Sequence, residues 1–355
     1  MQIKTTFDFV RFCMDDDSVQ FHPTEDLDWK QLYDFAVKQA LVGIMYHGLE
    51  KMAAEQKPPK QLLMKWFMMT EQLKKNNQLL NEKAVEVADR FCKDGFKCCI
   101  LKGQGNAVMY PNPAMRMPGD VDIWVSGSRE EILNYVKQRH PEAHYHFFHA
   151  EYDEDSVSVE AHFMPGIMNN PLYNRRLQKY YSEQQATQCA HWVELPDGAG
   201  EIPVPTDDFN IVFQLCHMMH HFFDEGIGLR QMMDYYYLLK KSKDAINRKE
   251  TEQLLEYLGL KKFAGAVMYV QQKIFGLEDE YTIAKTDERR GETLVYEILK
   301  GGNFGQHSGL TSHGTATKYL LKNWRSLQLV REYPAEALAE PLFRTYHFFW
   351  RKGMK

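Results

Sequence analysis

The chain has 355 residues, 44% hydrophobic and 26% charged, with a net charge of −5 and a pI near 6.3. That composition supports a sizeable core and excludes an overall electrostatic footprint for DNA; no apolar run nears the roughly 18 residues that suggest a membrane span. Six cysteines without CxxC spacing predict free thiols in a reducing, cytoplasmic setting.

Residues 1–95 read as helical. Phe7, Val10 and Met14 have amphipathic spacing, and the acidic Asp15-Asp16-Asp17 closes that helix. Asp26 or Asp28 can cap the next helix, Trp29–Leu41, which Val42-Gly43 is expected to break before Ile44–Ala54. Pro58-Pro59 opens a long helix from about Lys60 to Cys92, ended by Asp94-Gly95. From 96 to 165 the period changes to two. Strand Phe96–Leu101, helix Gln104–Tyr110, strand Val121–Val125, helix Ser128–Arg139 and strands Ala143–His149 and Ser156–Phe163 follow in order. Ser128 and Glu131 form a capping-box signature. Glu151-Tyr152-Asp153-Glu154-Asp155 reads as a solvated hairpin turn. Beyond 170 the chain is mainly helical again, at about 172–190, 206–223, 227–242, 249–257, 259–275, 287–299, 315–331 and 335–351. A small hairpin is expected at Trp192–Pro205, and a mobile glycine-rich loop from Gly301 to Gly314. The expected architecture is α+β: a helical part (1–95), a small mixed sheet carrying the site (96–165) and a helical part (166–355).

The chemistry concentrates in Leu101–Val125. Asp120 and Asp122 are two residues apart in an apolar run, so they share a strand face opposite Val121, Ile123 and Val125. Two carboxylates side by side repel unless a cation lies between them, and a hard, oxygen-ligated ion such as Mg²⁺ is the usual answer. The turn Lys102-Gly103, between strand and helix, can present backbone N–H groups to phosphate.

The set Leu101-Lys102-Gly103, Tyr110-Pro111, Arg116 and Gly119-Asp120-Val121-Asp122-Ile123-Trp124-Val125 resembles the uncharacterised bacterial nucleotidyltransferases of the DNA polymerase β-like superfamily. The resemblance is tight over about 96–165 and looser to about 240. It implies transfer of a nucleoside monophosphate from an NTP, with two Mg²⁺ ions (Mn²⁺ as substitute) held by Asp120, Asp122 and a third acid on a later strand. The superfamily prefers Gly-Ser or Gly-Gly after its first strand, whereas Gly103 here precedes Gln104, which offers no serine hydroxyl for phosphate.

In Ser156–Phe163 the polar residues are the even ones, so Glu160 shares a face with Ser158 and His162. Glu160 is the candidate third ligand and proton acceptor; the plainer reading is an exposed strand glutamate. His162 is expected to support that carboxylate or meet substrate. Lys102, Gly103, Arg116 and Gly119 are the phosphate-binding candidates, although Arg116 can equally be a surface group paired with Asp120. His217 and His221 have chelating spacing, but packing or hydrogen bonding in support of the site is the favoured reading. Arg230 and Asp234 can form an i,i+4 pair on one helix face; the resemblance implies that this helix walls the nucleotide cleft, the plainer reading being a pair that only stabilises its helix. The segment 318–355 is basic and aromatic: either a nucleic-acid arm or, preferred, a helical cover burying Leu320, Leu321, Trp324, Leu327, Leu338, Leu342, Phe349 and Trp350. The leading expectation is a nucleotidyltransferase acting on a hydroxyl-bearing acceptor (small molecule, sugar, protein or RNA). The alternative is a catalytically silent nucleotide-binding or regulatory protein. No GxxxxGK[ST] supports a P-loop kinase.

Overall fold

The computed structural model describes residues 3–14, 20–24, 27–305 and 315–353; Asp15-Asp16-Asp17, Asp26 and most of the glycine-rich loop lie outside the described residues. Four helices lead: α1 (Ile3–Cys13), α2 (Trp29–Lys38), α3 (Val42–Lys51) and α4 (Lys60–Lys93). Asp28 caps α2 by accepting from the Gln31 N–H at 3.0 Å. The chain breaks at Ala40, in the left-handed region (φ 57°), so Val42-Gly43 is not the break and lies within α3. A Cβ on Gly43 would sit 2.3 Å from the Met115 carbonyl oxygen. Gly43 is therefore required for close approach, letting α3 reach the loop that carries Arg116.

The mixed sheet has the order β1-β2-β5-β4-β3, with β1 Cys98–Leu101, β2 Val121–Val125, β3 His144–Tyr145, β4 His149–Glu154 and β5 Val157–His162. Strands β2 and β5 run parallel; the other pairs are antiparallel. The short helix α5 (Gly103–Ala107) follows β1, and α6 (Arg129–Arg139) opens on the expected capping box. Val121, Ile123, Val125, Val159 and Ala161 bury one face against Leu80, Val87 and Phe91 of α4 and Ile132 and Val136 of α6. The expected single strand Ala143–His149 is in fact a hairpin, since His146 N–H returns to the His149 carbonyl at 2.9 Å. The acidic run expected as a turn is mostly strand β4, because Ala150 and Tyr152 point into the core between Glu151 and Asp153. Asp155 and Ser156 alone turn the chain, both with positive φ (48° and 67°), as a two-residue type I′ connection requires.

The opposite sheet face is not the solvent face that alternation alone suggests. Trp124 stacks on Phe209 at 5.7 Å and Asp122 is 1% exposed. Helices α7 (Pro171–Gln188), α8 (Asp207–Asp224) and α9 (Leu229–Lys241) follow, with the expected hairpin β6/β7 (Trp192–Leu195 and Gly200–Pro203) between α7 and α8. Then come α10 (Arg248–Tyr257), α11 (Lys261–Val270), α12 (Glu288–Gly301), α13 (Thr315–Gln328) and α14 (Pro334–Gly353). Residues of both helical parts, among them Phe9, Val42, Phe213 and Leu294, share one hydrophobic core, and Gln39 Nε2 donates across it to the Ile298 carbonyl at 3.0 Å.

The C-terminal pair packs on the body, but through other residues than the sequence suggested. Leu329, Tyr333 and Ala337 are buried, whereas Trp324, Leu327, Leu338, Leu342 and Phe349 face outward. Polar anchors complete the contact: Lys322 and Arg344 donate to Asp224 at 2.7 and 3.1 Å. Glu336 accepts from the backbone N–H groups of Asn169 and Asn170 at 2.7 and 3.2 Å. Burial pushes the Glu336 carboxyl up to about 7, against the pull of those two donors. A folded-state pKa above the ordinary 4.5 gives a contribution present below pH 4.5 and lost as pH rises through 7. The stability of the wild type relative to Glu336→Gln should thus fall between pH 5 and pH 8 by about 2–3 kcal/mol. Denaturant titrations at those two pH values check it; a relative stability that rises with pH would contradict it.

Candidate active site

Register places the functional side chains in two rows across the sheet. Glu151 lies opposite Glu160, and Glu160 opposite Asp122; one step along, His149 lies opposite His162, and His162 opposite Trp124. Residues in register share a face, so an acidic row and a histidine row run side by side under α8. Asp120, just before β2, joins the acidic row: oxygens of Asp120, Asp122 and Glu160 lie within 4.8 Å of one another. The sequence-derived triad is therefore brought together in space.

Two cationic side chains sit on these acids. Lys102 Nζ donates to Asp122 Oδ1 at 2.9 Å and to His217 Nε2 at 3.3 Å. His162 Nε2 donates to Asp122 Oδ1 at 3.0 Å and Glu160 Oε2 at 3.1 Å. Burial works against the charged form of His162, but its bonds to Asp122 and Glu160 prevail and raise its pKa to about 9. Burial likewise opposes the Lys102 ammonium, and the Asp122, Asp120 and Glu160 charges raise its pKa regardless. For Glu160 the cost of burial is outweighed by the His162 contact, which holds the carboxyl below its usual range. His217 is held neutral, first by burial and then by the Lys102 charge, so its ring nitrogen is free to accept.

The turn after β1 is unusual. Lys102 has φ 53° and ψ −139°, a conformation other residues than glycine rarely adopt, at a cost of about 1–3 kcal/mol; Gly103 follows with φ 46°. Gln104 does not face the cleft: its amide donates to the Asn77 carbonyl and to Asn81 Oδ1 on α4. The Gln104 side chain is therefore turned away from the cleft that Lys102 and Gly103 line.

Arg116 does not pair with Asp120, the surface partner that the sequence allowed. Its Nε and Nη2 donate to the two Asp234 oxygens at 2.7 and 2.8 Å, in a buried bidentate pair. Tyr110 Oη at 2.6 Å and Asn106 Nδ2 at 3.3 Å also donate to Asp234, and Asn77 Nδ2 holds the Ala114 and Arg116 carbonyls at 2.9 and 2.8 Å. Arg116 keeps Asp234 charged despite burial. The expected Arg230–Asp234 pair is thus replaced. Arg230 Nη1 donates to the Met117 and Pro118 carbonyls at 3.3 and 3.2 Å, and its Nε is buried without a partner among the described residues. Burial, with the neighbouring Arg116 charge, lowers the Arg230 pKa.

These groups line one cleft of about 380 Å³, which includes Lys102, Gly103, Arg116, Gly119, Asp120, Asp122, Glu160, His162, Arg230 and Asp234, and is closed on one side by Phe343, Arg344 and His347 of α14. His217 and His221 line it too. No third histidine, cysteine or carboxylate gathers with both of them among the described residues; His217 bonds to Lys102 and its ring meets that of His221 at 4.4 Å. Asn106 had no role in the sequence reading, and the contacts of Tyr110 with Asp234 and of His217 with Lys102 were not foreseen there. Tyr110 lay within the motif, but nothing local to 106 or 217 marks their long-range contacts.

Three converging carboxylates on a small mixed sheet, beside a glycine turn, sit within an α+β fold of nucleotidyltransferase type. Residues 25–276 match the model of the family described as "Uncharacterised nucleotidyltransferase", and the chain belongs to that family. The crystal structure of an antigenic nucleotidyltransferase-like protein from Paracoccidioides brasiliensis is similar at 13% identity and a TM-score of 0.36, covering 62% of this chain and 97% of that one. No curated protein matches the chain.

The donor set fits a hard divalent ion. Three carboxylates converge, and the Lys102 ammonium lies 2.9 Å from one of them, so the site accommodates positive charge.

Proposed function

We propose that the protein moves a nucleoside monophosphate from an NTP to a hydroxyl-bearing acceptor. The observation that carries this reading is the convergence of Asp120, Asp122 and Glu160 beside the Lys102-Gly103 turn. Those three residues would hold Mg²⁺, which when bound neutralises the triphosphate and polarises its phosphoryl oxygens. The acceptor oxygen bonds to the α-phosphorus, the bond from that phosphorus to the bridging oxygen breaks, and pyrophosphate leaves. Glu160 accepts the hydroxyl proton. Gly103 and Gly119 supply backbone at the phosphates. Arg230, with no carboxylate partner among the described residues, is the guanidinium aimed at the triphosphate, while Arg116 acts indirectly by fixing the loop that leads into Asp120. Positioning and charge neutralisation supply most of the rate in such transfers.

A second reading, nucleotide binding without turnover, draws on Asp122 already sharing its charge with Lys102 and His162. Binding is common to both and is tested first. Mg²⁺ or Mn²⁺ with NTP should raise the melting temperature, since a ligand at a hundredfold its Kd adds about 2.7 kcal/mol. Arg230→Ala should lose most of that rise. A flat response of the wild type to every NTP would sink both readings. Turnover then separates them.

A further inference from the structure

The histidine row continues past the acidic triad to a second cluster that the proposed reaction does not use. His149 and Glu151 are two apart on β4 and share its cleft face; the hairpin sets His146 directly across from His149. A ligand atom from each of the three lies within 4.8 Å of the others. The His146 and His149 rings stack at 4.5 Å, and His146 Nε2 meets Glu151 Oε2 at 3.1 Å. His149 is 7% exposed, and its Nδ1 is buried with no hydrogen-bond partner among the described residues. A ring nitrogen stranded in this way is costly unless something binds it.

We propose that His146, His149 and Glu151 form a binding site for a first-row transition-metal dication, zinc by its donor set, next to but separate from the oxygen site of Asp120, Asp122 and Glu160. Two imidazoles and one carboxylate suit Zn²⁺, Co²⁺ or Fe²⁺ and disfavour Mg²⁺, which prefers oxygen. Those three ligands leave a fourth position open. The side chains of His146 and Glu151 are 36% and 40% exposed, which gives a hydrated ion a path in. A rival set, His149 with Glu160 and His162, shares one ligand. It is the weaker choice, because His162 Nε2 already donates to Asp122 and Glu160. The two sites meet at Glu160, whose Oε1 lies 3.7 Å from His149 Nε2, so the two bound ions would be neighbours in one cleft.

Co²⁺ titration of the full chain under saturating Mg²⁺ tests this without reference to any reaction. The wild type should bind one Co²⁺ with the intense visible absorption of a low-coordinate nitrogen and oxygen site, and Zn²⁺ should displace it. His146→Ala and Glu151→Gln, both at half-exposed positions, should each weaken Co²⁺ binding by at least about tenfold. Asp120→Asn should leave it unchanged. Circular dichroism selects the variants that remain folded, and either one suffices. Unchanged Co²⁺ affinity in a folded variant would overturn the proposal in favour of the set that includes His162, as would the absence of visible absorption in the wild type or loss of binding in Asp120→Asn.

Discussion

Asp234→Ala should lower stability by about 3–5 kcal/mol, the usual cost of removing one partner from a buried ion pair. The carboxylate accepts four hydrogen bonds, two from Arg116 and one each from Tyr110 and Asn106. Without it a guanidinium 4% exposed at its side chain is left charged in the core. In a chain of this size the melting temperature should fall by about 5 °C. Activity should fall with it, by about a hundredfold, because the loop that Arg116 holds runs directly into Asp120 and misplacement by an ångström is costly. The double variant Arg116→Met with Asp234→Leu should recover part of the stability, since apolar replacement of a buried pair is often neutral, but not the activity. An unchanged melting temperature in Asp234→Ala would show that the pair contributes nothing net.

Asp122→Asn should lower nucleotidyl transfer by at least about a thousandfold, or about 4 kcal/mol of transition-state stabilisation. Its stability effect should differ from that of its neighbour. Asp122 is buried and bound to Lys102 and His162, so neutralising it strands two cations and lowers the melting temperature of the metal-free protein. Asp120, half-buried, makes no such pair among the described residues; Asp120→Asn should abolish transfer with the melting temperature unchanged. Melting curves of the two metal-free variants, side by side, check the split. Equal losses would contradict the asymmetry of the site.

The acids were legible because a strand period of two places Asp120 with Asp122, and Glu160 with His162, whatever the rest of the chain does. The same period could not say that the polar face is a covered cleft. Alternation marks a face as different from the core, and a helix such as α8 can cover that face, stacking Phe209 on Trp124 of β2, while leaving the acids around a cavity. Arg116 shows the limit of local pairing rules: its partner is 118 residues away, and the i,i+4 geometry of Arg230 and Asp234 loses to a bidentate contact with a charge from another element. The hairpin at His146–His149 was missed because its turn residues are Phe147 and Phe148, not the usual glycine or asparagine. Phe147 is held by Phe343 and Trp350 of α14, and Phe148 by His162 and His220, so tertiary packing supplies what turn chemistry lacks. Gly43 was misread for a related reason. Glycine in a helix can mark a break or a close approach, and only the position of Met115 distinguishes them.

The central claim is that the triad transfers a nucleoside monophosphate. Parallel incubations of the protein with acceptor pools and Mg²⁺, one with NTP labelled at the α-phosphate and one labelled at the γ-phosphate, test it most directly. The α-label should appear on an acceptor and the γ-label in pyrophosphate, and both signals should vanish in Asp120→Asn and Asp122→Asn. Transfer of the γ-label to the acceptor, or α-label transfer that survives both substitutions, would contradict the assignment.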